Sequence, residues 1–267
     1  MRLLLRGLGQ TLITAGLIVL LFVVYEVWVT NFFAHREQVR VHQALQRQWA
    51  NCTQTLCLPD GELKPIVGDG IANLYIPRFG LDYAWTVVQG DKVPTDSQLE
   101  EGPAHYADTA MPGEAGNFAI AGHRVGKGEP FLNLDQLQAG DPVVVETRTK
   151  WYVYCVLGTA PGANPCDPNA AGASLSARDA NGVPGREIVS PDDGDVLLPV
   201  PNDTRAHGPY TVKYLTMTTC TPKFTAAQRM IVHASLQAEY DKAQTGDNYS
   251  NAVPAPINAY YSAGEGN

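Results

Sequence analysis

Met217 to Thr225 read MTTCTPKFT, with Cys220 at the end of a β-branched, apolar run and just ahead of a proline. A cysteine in that position has three uses: a small buried hydrophobe, half of a disulfide, or a nucleophile. The polar neighbours Thr218 and Thr219 weigh against burial, but a nucleophile also needs something to favour the thiolate. Arg229 can supply it. The connection TPKFTAAQ turns the chain, so Arg229 opens the next strand beside the end of the one that carries Cys220. A guanidinium there would stabilise the thiolate and, in acyl transfer, the oxyanion on the carbonyl oxygen. The plain alternative is a surface arginine at a strand end, and Lys223 in the loop is a rival cation.

Of six histidines, His123 is the best acid or base. It ends the apolar run NFAIA in AGHR, which puts it at the rim of a sheet, and Gly122 allows close approach of backbone or substrate. A histidine at a strand end is otherwise an ordinary polar surface residue. His105 in GPAHYADT, His207 in RAHGPY and His233 in IVHAS have weaker cases, His233 because its alternation suits sheet packing. GHRVGKG looks like a phosphate loop, but three residues separate Gly122 from Gly126 and no Ser or Thr follows Lys127, so it is not a nucleotide site.

These residues need a scaffold and a compartment. Leu8 to Tyr25 carry no charge, long enough for a helix to cross a bilayer, and Arg2 and Arg6 precede them. The positive-inside rule then keeps the N-terminus cytoplasmic and sends the remainder across the membrane. A cleaved signal peptide is the competing possibility; the bulky exit YEVWVTNFF, without a small-x-small site, favours an uncleaved anchor. The five cysteines therefore face a space that permits disulfides. Cys52 with Cys57 and Cys155 with Cys166 are the easy local pairs, leaving Cys220 over, although proximity in sequence does not supply the geometry. Neither spacing suits a zinc knuckle. The formal net charge of −8 argues against nucleic acid or an anionic surface as partner.

Residues 1–33 are thus expected to form a cytoplasmic tip and anchor, 34–69 a polar stalk and linker, 70–240 one domain, and 241–267 a disordered polar tail. Within 70–240, short apolar runs bounded by Gly, Pro and Asp number eight or nine: IANLYIP, AWTVVQG, NFAIAGH, DPVVVETR, KWYVYCVLG, REIVS, DVLLPV, YTVKYLTMTTC and RMIVHASLQAEY. They predict a mainly β domain, a closed or nearly closed antiparallel barrel. TDSQLEEGPAHY and PFLNLDQLQAG are the helical candidates. Residues 158–185 hold no apolar run and are expected as an inserted loop.

From about Leu74 to Leu236 the chain resembles the sortases, membrane-anchored cysteine transpeptidases of Gram-positive cell surfaces. MPGEAGNFAIAGHRVGKGEPFLNLDQLQAGD looks like the family's histidine motif. YLTMTTCTPKFTAAQRMIVHA looks like its Thr-x-Thr-Cys segment and following arginine, and IVSPDDGDVLLP resembles the stretch before the cysteine strand. The resemblance implies an eight-stranded barrel with His123, Cys220 and Arg229 as catalytic residues. It implies cleavage of a Thr-Gly bond in a C-terminal sorting signal of secreted proteins, through a thioacyl intermediate on Cys220. An amine of a lipid-linked cell-wall precursor peptide would then resolve that intermediate. Class E is the nearest subgroup and class D the next. No cofactor or metal is carried over, since the acidic calcium pattern of class A is not identifiable. An endopeptidase with water as acceptor and a non-catalytic wall-binding barrel are the competing functions.

Overall fold

The structure, a computed structural model, describes residues 2–25, 30–242, 244–245 and 248–249. Helix α1 (Arg2–Val24) contains the 18-residue window Arg6–Val23, with a mean hydropathy of 1.7 and none of it buried against the domain. By length and composition it can cross a membrane.

Nine strands build the main sheet: β1 (Gly70–Tyr75), β2 (Ala84–Gln89), β3 (Ala104–His105), β4 (Gly116–Ala121), β5 (Pro142–Glu146), β6 (Lys150–Val156), β7 (Arg186–Val189), β8 (Lys213–Thr221) and β9 (Gln228–Asp241). Eight of them close a ring in the order β6-β5-β1-β2-β3-β4-β8-β9, with β9 returning to β6. The 14-residue β9 makes closure possible. Its C-terminal half pairs with β6, from Val156↔Ala234 to Lys150↔Asp241, while its N-terminal half takes β7 along the same edge. The closed eight-stranded barrel agrees with the sequence reading. The expectation of purely antiparallel pairing fails at two places: β2–β3 and β4–β8 are parallel. Long connections precede β3 and β8, so each can return in its partner's direction.

Alternation decides what lies inside. Leu74, Val87, Phe118, Ile120, Val143, Val145, Leu215, Met217, Val232 and Ala234 fill the barrel. At about 1.5–3 kcal/mol for each buried large side chain, this interior dominates the stability. DVLLPV, expected as a strand, is instead a 3₁₀ turn (Asp195–Leu197) laid over the outside of β4, where the Val196 and Leu198 carbonyls accept from Asn117 Nδ2 at 3.2 and 3.1 Å. PFLNLDQLQAG forms only the 3₁₀ turn Leu134–Gln136, whereas TDSQLEEGPAHY does hold a helix, α3 (Asp96–Glu101), before giving β3. Gln98 Oε1 accepts from the Thr95 amide at 2.9 Å and closes the start of α3.

The expected stalk belongs to the domain. Helix α2 (Thr30–Ala50) buries Ala34, Gln38, Val41, Leu45 and Trp49 at helical spacing against the barrel wall. Gln38 matters most, because β3 is too short to cover the edge of β2. Its Oε1 accepts from the Thr86 amide at 2.8 Å and its Nε2 donates to the Thr86 carbonyl at 2.9 Å, completing a rung that no strand supplies. The Cys52–Cys57 disulfide packs below with Leu45, Trp49 and Leu63.

The 158–185 insertion is also built. The Cys155–Cys166 disulfide ties it to the outer face of β6, Leu175 packs against the barrel interior, and Asn181 Nδ2 donates to Tyr214 Oη at 2.7 Å. At Gly158, φ is +110° and a Cβ would stand 2.2 Å from the Ser174 carbonyl oxygen, so the return of the loop requires glycine. The polar tail expected over 241–267 lies mostly outside the described residues. Asp241 ends β9, and Lys242 is buried with its Nζ 2.7 Å from Glu146 Oε1 and 4.3 Å above the Trp49 ring.

Candidate active site

The outer face of β4, β8 and β9 carries the candidate site. Since Phe118, Ile120, Leu215, Met217, Met230 and Val232 point inward, alternation turns Ala119, Ala121, Thr216, Thr218, Ile231 and His233 outward. Cys220 and Arg229 continue the outward rows of β8 and β9, and they are direct cross-strand partners. Such a pair has its Cβ atoms about 4.5–5.5 Å apart. On the other flank the parallel ladder ends at Ala121↔Thr218, and the Gly122 amide, donating to the Thr218 carbonyl at 3.1 Å, carries the chain past the end of β4 to His123. The three sequence-predicted residues thus lie at the same end of three adjacent strands, Cys220 and Arg229 on β8 and β9 and His123 two residues past β4. Each is half-buried, at the head of a face that is otherwise covered.

The cysteine accounting holds: Cys52–Cys57 and Cys155–Cys166 are closed, and Cys220 is free. Arg229 Nη1 donates to the Ala226 and Gln228 carbonyls at 3.2 and 3.3 Å, bonds that leave the rest of its donor fork for a substrate oxygen.

His123 is positioned by its neighbours. A Cβ on Gly122 would stand 2.6 Å from the buried Phe131 ring, so this position admits only glycine. The Phe131 amide donates to the His123 carbonyl at 3.0 Å, and Thr219 Oγ1 donates to the Gly122 carbonyl at 2.7 Å. Between them Gly126, Lys127, Gly128 and Glu129 all have positive φ and fold the chain back. The Gly126 amide donates to Glu129 Oε2, so the loop that resembled a phosphate cradle is occupied by its own carboxylate. Burial, and then the charge of Lys127, push the His123 imidazole below its ordinary value, while Asp96 and Glu100 push back. Its Nε2 is buried without a hydrogen-bond partner.

Two residues at the site carried no separate signal in the sequence. Tyr106, just after β3, bonds Thr218 Oγ1 through its hydroxyl at 3.0 Å and lies within electrostatic reach of Arg229 and Cys220; burial raises its phenol. Arg124, next to His123, is buried and reaches Thr221 and the Cys220 carbonyl. The three weaker histidine candidates stand elsewhere. His105 is buried between Gln89 Oε1 and the Ala110 carbonyl, and His207 is exposed. His233 bridges Thr216 Oγ1 at 2.8 Å and Glu187 Oε1 at 3.0 Å inside the covered part of the outer face.

Comparison with known proteins gives one consistent answer. A family profile described as "Sortase domain" matches residues 74–237. Sortase SrtE1 of Streptomyces coelicolor is 36% identical over 240 residues, which cover 88% of this chain and 57% of that relative. The chain therefore spans little more than half of SrtE1. Sortase SrtE2 of the same organism is 30% identical over 239 residues, covering 86% of this chain and 80% of the relative. Among solved structures, the SrtF sortase from Corynebacterium diphtheriae superposes with a TM-score of 0.60 at 38% identity, over 77% of this chain and 98% of that one.

Proposed function

This chain belongs to the sortase family of cysteine transpeptidases, and we propose that Cys220 is its nucleophile, His123 its proton carrier and Arg229 its substrate and oxyanion clamp. The observation that carries the assignment is the cross-strand pairing of the free Cys220 with Arg229, with His123 two residues past the end of the strand on the opposite flank. At neutral pH the buried imidazole is mainly uncharged and accepts the Cys220 proton as the sulfur attacks the threonine carbonyl of a Thr-Gly bond. The oxyanion forms against Arg229. Collapse breaks the C–N bond, and the proton passes from His123 to the departing glycine amine. An incoming amine then attacks the thioester, His123 takes its proton, and the C–S bond breaks to restore the thiol.

The substrates are secreted proteins ending in a Leu-Pro-x-Thr-Gly or Leu-Ala-x-Thr-Gly signal, and the acceptor is an amine of a lipid-linked cell-wall peptide. Helix α1 would anchor the enzyme, N-terminus inside, with the barrel at the outer surface where both substrates meet. Incubating the chain with a sorting-signal peptide, with and without an added amine, tests the proposal. Ligation of the amine is expected. Release of free acid alone would indicate an endopeptidase, and an intact peptide would indicate a binding barrel.

A further inference from the structure

Arg124 is the most deeply buried cation of the domain's catalytic end, with 6% of its side chain exposed. Its Nη1 donates to Thr221 Oγ1 at 2.8 Å and lies 3.5 Å from the Cys220 carbonyl oxygen, and its Nη2 pairs with Asp135 Oδ1 at 3.1 Å. Asp135 is held in turn, because its carbonyl accepts from Arg186 Nη1 at 2.8 Å.

Ladder geometry shows what this guanidinium replaces. In the parallel β4–β8 pair the Gly122 amide donates to the Thr218 carbonyl at 3.1 Å. The next rung would run from the amide of residue 124 to the Cys220 carbonyl. β4 has ended by then, and the donor that reaches the Cys220 carbonyl is the side chain of the same residue. We infer that Arg124 is a positioning residue: its guanidinium takes the place of the missing rung, fixing the Cys220–Thr221 backbone, and hence the sulfur, relative to His123. The inference rests on Cys220 being the nucleophile. A planar fork suits the task, since one group must meet an aspartate, a hydroxyl and a carbonyl at once.

The test uses the full chain in detergent, with Arg124→Lys, Thr221→Val and the double variant. Arg124→Lys keeps the charge but loses the fork, and kcat should fall about 10- to 100-fold with KM within about threefold, because misplacement of a reacting group acts on the chemical step. Thr221→Val removes the hydroxyl acceptor at nearly constant volume and should lower kcat about 3- to 10-fold. The double variant should be no slower than Arg124→Lys alone, since both break one connection. A thermal midpoint is recorded for each; should Arg124→Lys unfold, Thr221→Val decides. A kcat within twofold of the parent in folded variants, a change confined to KM, or additive losses would overturn the inference. Cys220→Ala runs alongside: ligation by that variant would sink the nucleophile assignment itself, whereas an inactive Cys220→Ala beside an unaffected Arg124→Lys removes only the role of Arg124.

Discussion

The chemistry proposed for Cys220 calls on two residues held by different means, and each gives its own prediction. Arg229 is placed by register, directly across from Cys220, with its guanidinium on the Ala226 and Gln228 carbonyls. Arg229→Ala should lower kcat/KM about 10²- to 10³-fold, the usual cost of losing one oxyanion donor, and Arg229→Lys should recover only part of it. Equal rates for the lysine variant and the parent would mean that charge suffices and the fork does not matter. His123 is tuned by burial first and by Lys127 second, both lowering its proton affinity. If neutral His123 accepts the thiol proton, the acid limb of kcat/KM lies below the ordinary histidine value of about 6.5. Lys127→Gln removes a cation that repels the imidazolium, so the limb should move to higher pH. A limb that stays or moves down would show that this charge does not reach the acting base.

At the scale of elements, the joints between secondary structures carry the consequences. His105 ends β3, and burial outweighs its bond to the Ala110 carbonyl, lowering its pKa from 6.5 to about 4. The unfolded chain therefore takes up this proton first as pH falls. Stability from neutral His105 is complete above about pH 6.5 and gone below about 4, a loss on the order of 3 kcal/mol. Urea unfolding should show this slope, and His105→Gln should flatten it; an unchanged slope would place the acid sensitivity elsewhere. Leu45→Ala on α2 should cost about 2–5 kcal/mol, as for a core position, whereas a free stalk would lose almost nothing. That difference marks where the sequence was legible. Strands with clean two-residue alternation, β4 and β8 above all, could be read directly, and their ends located Cys220 and His123. The α2 stripe could not, because its buried positions include Gln38, whose burial makes sense only beside the uncovered edge of β2. Arg124 and Tyr106 were hidden for a related reason: their partners, Thr221 and Thr218, are about a hundred residues away.

For the whole molecule, two disulfides and one apolar helix frame the barrel. Mass spectrometry of the unreduced chain after alkylation should find a single modified cysteine, Cys220; modification of Cys155 or Cys166 would mean that the insertion is not tied as described. A chain begun at Thr30 should keep its fold without α1, whereas one begun at Gly70 should lose it, since the second removes Leu45, Trp49 and the Gln38 rung along with the anchor. As proposed, the barrel holds a covalent acyl carrier, Cys220, at the end of β8. Mixing the full chain with a sorting-signal peptide, without an amine, and measuring intact mass tests it most directly. The expected product is an adduct equal to the peptide up to its threonine, mapped to Cys220, discharged by hydroxylamine and missing from Cys220→Ala. Turnover of the peptide by Cys220→Ala, or an adduct on any other residue, would contradict it.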